Sequence, residues 1–486
     1  MADIRHLFIG GEHTPATGGR TVADLDPFTG RVFVEVAAAA PADVTRAVDA
    51  AAAALPEWAA TAPGRRRQIL LAAADELQRR EAEVVELMRA ETGATHGWAH
   101  FNVGLAAGML REAAGLATAP LGEVLSTDTP GSLSMAVRQP AGVVAAFAPW
   151  NAPVILGTRA IATPLAVGNT VVVKASEDAP VCCALLLAEV LAEAGLPAGV
   201  LNVLTNDRAD AAVVAETLIA DRRVRRVNFT GSTGVGRRIG ALAAEHLTPA
   251  VLELGGKNAL IVRADADLAY AAQAVAFGAY LNSGQICMST DRVLVHRAVA
   301  EEFTARLAER VQRLPYGDPG DPTTVVGPLI DAGAARRVAG LVDEAVRDGA
   351  KVVAGGGEPA GAVYPPTVVT NVDRRMRLFT EEVFGPVCAV QPVDDDEQAV
   401  EIANDTPYGL TAGILTEDTA RGYQLAQRLQ TGIVHVNDQS VDDEPQAPFG
   451  GVKDSGYGRF GGRAGAEAFT DLRWITVQHG HRPFPF

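Results

Sequence analysis

Cys287 lies in the run Asn282-Ser283-Gly284-Gln285-Ile286-Cys287-Met288-Ser289, and upstream of it Glu253 opens Glu253-Leu254-Gly255-Gly256-Lys257. A thiol is a strong nucleophile only as thiolate, and a nearby carboxylate can accept its proton. A cysteine and a glutamate on two glycine-bearing turns point to covalent catalysis through a thioester. Asn151, in Pro149-Trp150-Asn151, follows the strand-like run 143–147. An amide at a strand end can donate to a developing oxyanion. Taken alone, such an asparagine is more often a turn residue.

A second set of residues suits a nucleotide. Phe229-Thr230-Gly231-Ser232-Thr233-Gly234-Val235-Gly236 follows a predicted strand and opens a predicted helix. Glycines there let the backbone approach a phosphate, and the helix N-terminus offers it free N–H groups. The spacing is not G-x-G-x-x-G, so an ordinary tight turn would read the same way. A true G-x-G-x-x-G, Gly456-Tyr457-Gly458-Arg459-Phe460-Gly461, follows a polar loop without a βαβ context and reads as a decoy. Lys174-Ala175-Ser176-Glu177 ends the strand 171–173, where open parallel sheets bind ligands. Both charged side chains can hydrogen-bond ribose hydroxyls, and the carboxylate would repel a 2′-phosphate, favouring NAD over NADP. A solvated loop salt bridge is the plainer reading. His96 and His100 have a metal-like spacing but no third ligand, so no metal site is expected. Cys182 and Cys183 sit in an apolar helix and read as core.

These residues need a scaffold. The first third of the chain reads as helix, with helical spacing over 42–55 and a longer amphipathic segment over 65–91 that stops at Thr92-Gly93. Residues 120–140 change to Pro, Gly, Ser and Thr around a strand-like 134–138, an arm or inter-domain excursion. From Gly142, short apolar strands at 143–147, 171–173, 201–204 and 227–229 alternate with helices at 181–194 and 209–220. A second series follows with 259–262 and 292–295. Strands separated by helices imply parallel βαβ sheets, so two α/β domains in tandem are expected, with a terminal strand at 475–478.

The chain has 486 residues, too many for one core. Its net charge is −16, which argues against a nucleic-acid partner. Its four cysteines form no C-x-x-C pair, which fits a reducing, cytoplasmic setting. Neither a signal peptide nor a membrane span is visible.

Together these runs resemble the aldehyde dehydrogenase superfamily over nearly the whole chain. The resemblance rests on the segments quoted above around Asn151, Lys174, Gly231, Glu253 and Cys287. Three further segments join them: Glu381-Glu382-Val383-Phe384-Gly385-Pro386, Asn404-Asp405-Thr406-Pro407-Tyr408-Gly409 and Pro448-Phe449-Gly450-Gly451-Val452-Lys453. The resemblance implies that Cys287 attacks an aldehyde carbon, with Asn151 and the Cys287 N–H as oxyanion hole. Hydride then passes to a nicotinamide, and Glu253 activates the water that hydrolyses the thioester. It further implies an NAD site at Pro149, Trp150, Lys174, Glu177, Gly231, Ser232, Glu382 and Phe384. The implied architecture is two Rossmann-type parallel-sheet domains plus a small oligomerisation β-arm. The NAD-binding domain would take 1–120 and 141–252, the catalytic domain 253–453, and the arm and tail 121–140 and 454–486, building a homodimer or homotetramer.

The closer resemblance is to the bacterial benzaldehyde, vanillin and salicylaldehyde dehydrogenase group, through residues 149–162 and 436–453. An aromatic substrate needs a flat apolar slot, with Ile155, Tyr280, Leu281 and Phe449 as candidate walls. Arg159 is expected to face the substrate tunnel and favour hydroxylated aryl aldehydes; pairing with a structural carboxylate at the helix surface is the alternative. Aliphatic, semialdehyde and CoA-acylating dehydrogenases share the fold, and Glu253 argues against the last. A cysteine thioesterase or hydrolase would need no nicotinamide, and a non-catalytic role fits poorly with Cys287, Glu253 and Asn151 together.

Overall fold

The computed structural model describes residues 4–120 and 122–486. The strands Val143–Phe147, Thr170–Lys174 and Leu201–Leu204 are buried at every position. Continuous apolar runs of this kind belong to parallel sheets covered by helices on both faces. They form the centre of an eight-stranded sheet ordered Gly456–Tyr457, Ala250–Glu253, Val224–Thr230, Val143–Phe147, Thr170–Lys174, Leu201–Leu204, Leu7–Ile9, Glu12–Thr14. The five strands between 143 and 253 are mutually parallel, and both edges are antiparallel. The strand order reverses between Val143–Phe147 and Val224–Thr230. The crevice beyond the carboxyl ends at such a switch point is where open α/β sheets bind ligands.

A second sheet of seven strands runs Lys351–Ala354, Thr367–Thr370, Val387–Val393, Thr290–His296, Asn258–Val262, Thr411–Leu415, Ile433–Val436, and only its first strand is antiparallel. The expected pair of α/β units is therefore present. A separate three-stranded antiparallel sheet joins Gly122–Leu125, Ser132–Pro140 and Thr470–Gln478.

Several elements differ from the sequence reading. The helical run 65–91 divides at Arg80 into Pro63–Arg79 and Glu81–Thr92, where Arg80 leaves helical geometry (φ −88°, ψ 9°) and is held by Glu83 and Glu189. The segment 181–194 opens as a π-turn over Val181–Leu185, because the buried Glu91 carboxylate takes the N–H groups of Val181 (2.6 Å) and Cys182 (2.7 Å). An N-terminal sheet of Ile4–Arg5, Val32–Ala37 and Thr21–Leu25 was not foreseen. Gly456–Tyr457 belongs to the first sheet and not to the tail, paired against Leu252 and Glu253. A Cβ on Gly456 would lie 2.0 Å from the Leu252 carbonyl, so this glycine serves close backbone approach.

Candidate active site

The turn that leads into Cys287 is built from consecutive left-handed residues. Asn282 (φ 49°, ψ 37°) and Ser283 (φ 57°, ψ 30°) precede Gly284 (φ 69°). Non-glycine residues hold this conformation at a cost of about 1–3 kcal/mol each, so neighbours must over-determine it. They do. Ser283 Oγ donates to the Gly327 carbonyl (2.9 Å), and Gln285 Oε1 accepts the Ile330 N–H (2.9 Å). A Cβ on Gly284 would sit 2.1 Å from the Gly385 carbonyl. Asn151 closes the turn from the first sheet: its Nδ2 donates to the Gln285 carbonyl (2.9 Å). Its own carbonyl accepts from Asn282 Nδ2 (2.8 Å) and Trp98 Nε1 (3.1 Å). The second N–H of the Asn151 amide remains for a ligand.

Glu253 ends the Ala250–Glu253 strand at 1% exposure, and neither carboxylate oxygen has a hydrogen-bond partner among the described residues. Burial pushes its pKa up to about 7, with Arg159 and the Cys287 thiol pulling the other way and Asp443 adding to the rise. Cys287 is half-buried; desolvation and then the Glu253 carboxylate raise its thiol well above the ordinary range. A carboxyl near neutrality beside a protonated thiol is a proton acceptor matched to the pH at which both ionisation states are populated.

One cavity of about 320 Å³ is lined by Pro149, Trp150, Asn151, Gly231, Ser232, Glu253, Cys287, Arg337, Glu382 and Phe384. Glu382 accepts the Gly256 N–H (3.1 Å), and burial raises its pKa to about 8. Phe384 meets Trp150 edge-on, centroids 5.6 Å apart. The cavity shares Pro149, Trp150, Thr230, Gly231 and Ser232 with a groove of about 610 Å³ that runs past Lys174, Glu177 and Val235. The groove lies over the switch point, and register aligns its floor: Phe147 is level with Lys174 on one side and Phe229 on the other.

The groove's chemistry fits a dinucleotide. Ser232 caps the helix Thr233–Glu245 without spending its hydroxyl on the helix, so hydroxyl and N-terminal N–H groups face the groove together. A Cβ on Gly231 would come within 2.7 Å of the Phe229 ring. Glu177 is ion-paired with Lys174 and accepts from Asn206 Nδ2 (2.9 Å). Burial alone would raise Glu177, but Lys174 and Asn206 outweigh it and hold the carboxylate below its ordinary range.

The expected substrate walls separate. Ile155 and Phe449 are buried in the apolar cluster against which Leu281, Trp150 and Cys287 pack. Tyr280 does not belong there and is withdrawn as a wall. It is fully buried in the core of the second sheet, where its hydroxyl donates to the Thr367 carbonyl (2.9 Å). The helix Leu268–Tyr280 turns this last residue inward, away from Cys287. Arg159 is buried, not at the helix surface. It pairs with the equally buried Asp443 and stacks over the Phe449 ring, 4.0 Å from its centroid. This pair lines a small second cavity with Met109 and Ala113, and Asp443 Oδ1 has no partner among the described residues.

Sequence reasoning missed Arg337, Trp98, Asn258 and Asp443. Arg337 and Trp98 carry no motif. Asp443 lies in the segment 436–453, which entered the sequence reading for its resemblance alone and gave Asp443 no role. Asn258 follows Lys257 directly and was legible only as the next residue of the Glu253 motif.

Comparison with known proteins identifies the family of the chain. The sequence profile described as the Aldehyde dehydrogenase family matches residues 13–475. The vanillin dehydrogenase of Pseudomonas fluorescens is 54% identical, with 100% of each chain covered. The crystal structure of a salicylaldehyde dehydrogenase from Pseudomonas putida G7 complexed with salicylaldehyde superposes with a TM-score of 0.97 at 42% identity, covering 99% of this chain and 100% of that one. A betaine aldehyde dehydrogenase from Staphylococcus aureus in complex with NAD+ gives a TM-score of 0.95 at 30% identity, covering 99% of this chain and 95% of that one.

Proposed function

This chain belongs to the aldehyde dehydrogenase family, and we propose that it oxidises an aromatic aldehyde to its carboxylate with NAD as the preferred acceptor. The observation that carries the reading is the convergence of Cys287, Asn151 and Glu253 on one cavity, continuous with a dinucleotide-shaped groove. Full-length similarity to a vanillin dehydrogenase and to a salicylaldehyde dehydrogenase, and the apolar cluster with Ile155 and Phe449 against which Leu281 and Cys287 pack, support the aryl substrate.

Cys287 gives its proton to Glu253 and attacks the aldehyde carbon. Charge developing on the aldehyde oxygen is met by the free N–H of the Asn151 amide and by the Cys287 N–H. When bound, the nicotinamide supplies the hydride acceptor, which leaves an acyl thioester on Cys287. Lys174, Glu177 and Ser232 would hold its adenosine and pyrophosphate, and Glu382 and Phe384 would hold its nicotinamide ribose and ring. Glu253, once more deprotonated, draws a proton from water as it attacks the thioester carbon, and the carboxylate product leaves Cys287 as thiolate.

The ionised Glu177 supports NAD over NADP, since a 2′-phosphate would meet a carboxylate already held in place by Lys174. A preference for ring hydroxyls is assigned to the Arg159–Asp443 pair, whose charges act on Glu253 although the pair lines the second cavity and not the one at Cys287. The two α/β sheets correspond in this reading to a cofactor-binding and a catalytic unit, and the three-stranded sheet to a homo-oligomer contact. Four free cysteines support a reducing, cytoplasmic setting.

The test follows NADH at 340 nm (~pH 7, the pKa Glu253 reaches by burial) with benzaldehyde, vanillin, salicylaldehyde and an aliphatic aldehyde, without CoA. The aryl substrates are expected to give the higher kcat/KM. A preference for the aliphatic substrate rejects the aryl reading. In Arg159→Ala, the salicylaldehyde-to-benzaldehyde ratio of kcat/KM is expected to fall, and an unchanged ratio removes Arg159 from specificity.

A further inference from the structure

Asn258 opens the strand Asn258–Val262, the first of the second sheet in chain order, a few residues beyond Glu253. Its amide Nδ2 donates to two carbonyls of the nucleophile's turn, Cys287 (2.7 Å) and Ser289 (2.9 Å), and its Oδ1 accepts the Thr411 N–H (3.3 Å). The rest of that turn is pinned with equal completeness. The Gln285 carbonyl accepts from Asn151, the Ile286 carbonyl from the Ser289 N–H (2.8 Å), and the Met288 carbonyl from Ser440 Oγ (2.7 Å). Each carbonyl from 285 to 289 thus has a donor, and each bond fixes the tilt of one peptide plane. The Cys287 N–H, by contrast, donates to no protein acceptor among the described residues.

The second glycine of the Glu253 motif is tied to the same contact. A Cβ on Gly256 would lie 2.6 Å from Asn258 Oδ1 and 2.7 Å from the Cys287 carbonyl. No side chain fits between the base's turn and the nucleophile's turn, because Asn258 draws them into contact. Buried amides with all partners satisfied hold such a geometry rigidly, and loss of the donor leaves two carbonyls without one.

We propose that Asn258 is a positioning residue for the reaction. It locks the peptide plane on the carboxyl side of Cys287 against the glycine turn below Glu253, and so holds the thiol and the Cys287 N–H in line for the aldehyde carbonyl. The proposal rests on the reading of Cys287 as nucleophile and of its N–H as oxyanion donor. A misplacement of about 1 Å in such a constellation can cost on the order of a hundredfold in rate.

The test is single-turnover NADH formation, with enzyme in excess over benzaldehyde at saturating NAD, in wild type, Asn258→Ala and Asn258→Asp. The aspartate variant keeps the shape and the acceptor for Thr411 and replaces the amide donor, so it serves if the alanine variant does not fold. Both folded variants are expected to slow the single-turnover rate tenfold or more, with the NAD dissociation constant, read by tryptophan fluorescence, within twofold of wild type. A merely structural role would lower the unfolding midpoint and leave the single-turnover rate intact; that result overturns the proposal. A Cys287→Ala enzyme that still forms NADH overturns the underlying reading, independently of Asn258.

Discussion

Glu253 is a carboxyl without a hydrogen-bond partner among the described residues, at the end of a buried strand, and that burial sets its chemistry. Desolvation disfavours the charged form and carries it to about 7, while the Arg159 charge resists. A base works only when deprotonated. Thioester hydrolysis should therefore be weak below pH 7 and rise through it. The rate of acid release in multiple turnovers is expected to show an inflection near pH 7 that vanishes in Glu253→Gln, with deacylation slowed ~100-fold or more and hydride transfer less affected. A wild-type profile that is flat across neutrality would show that Glu253 is not the base. Cys287, Glu253 and Asn151 were picked out in the sequence because a thiol, a carboxyl and an amide stand there among glycines and at strand ends. Tyr280 was misread because spacing gives distance along the chain and not the side of the helix that a last residue faces. Asp443 was missed because a carboxylate's burial depends on an arginine 284 positions away.

At the scale of elements, the groove follows from strand order. The crevice exists because the chain leaves Val143–Phe147 in one direction across the sheet and returns on its other side with Val224–Thr230. The apolar runs of the parallel strands announced themselves, as did the helices between them. The N-terminal sheet did not, because its strands are short and half-exposed. The break at Arg80 did not either, because the apolar spacing continues through it and one of the ion pairs that hold it, to Glu189, is long-range. Glu177 sits at the carboxyl end of this sheet, ion-paired with Lys174. In Glu177→Gln, a 2′-phosphate would meet a freed lysine instead of a carboxylate. The ratio of kcat/KM for NAD over NADP is expected to fall tenfold or more, a modest share of the several kcal/mol that juxtaposed like charges cost. An unchanged ratio would place cofactor choice elsewhere in the groove.

At the scale of the whole molecule, the three-stranded sheet ends on Thr470–Gln478, a nine-residue strand paired on one side only, to Ser132–Pro140. An unpaired edge of this length is a template for another strand, and proteins that leave one open usually cover it. Among its side chains, Trp474 is 73% and Leu472 59% exposed, with Val124 on the opposite edge strand at 73%. Trp474 is nevertheless held in place, since its Nε1 donates to Ser134 Oγ (2.8 Å), so an ordered indole is presented to the outside. With a net charge of −16, scattered association between copies is opposed by repulsion, and a specific contact must bury this apolar surface to form. On the proposed reading of this sheet as a homo-oligomer contact, a second copy of the chain would meet both demands by joining edge to edge. Light scattering coupled to size exclusion should give a mass at a multiple of 50.6 kDa for wild type and a smaller species for Leu472→Lys with Trp474→Lys. A wild type at the single-chain mass, or a double variant with unchanged assembly, would assign the contact to another surface and leave this edge as a solvent-facing strand.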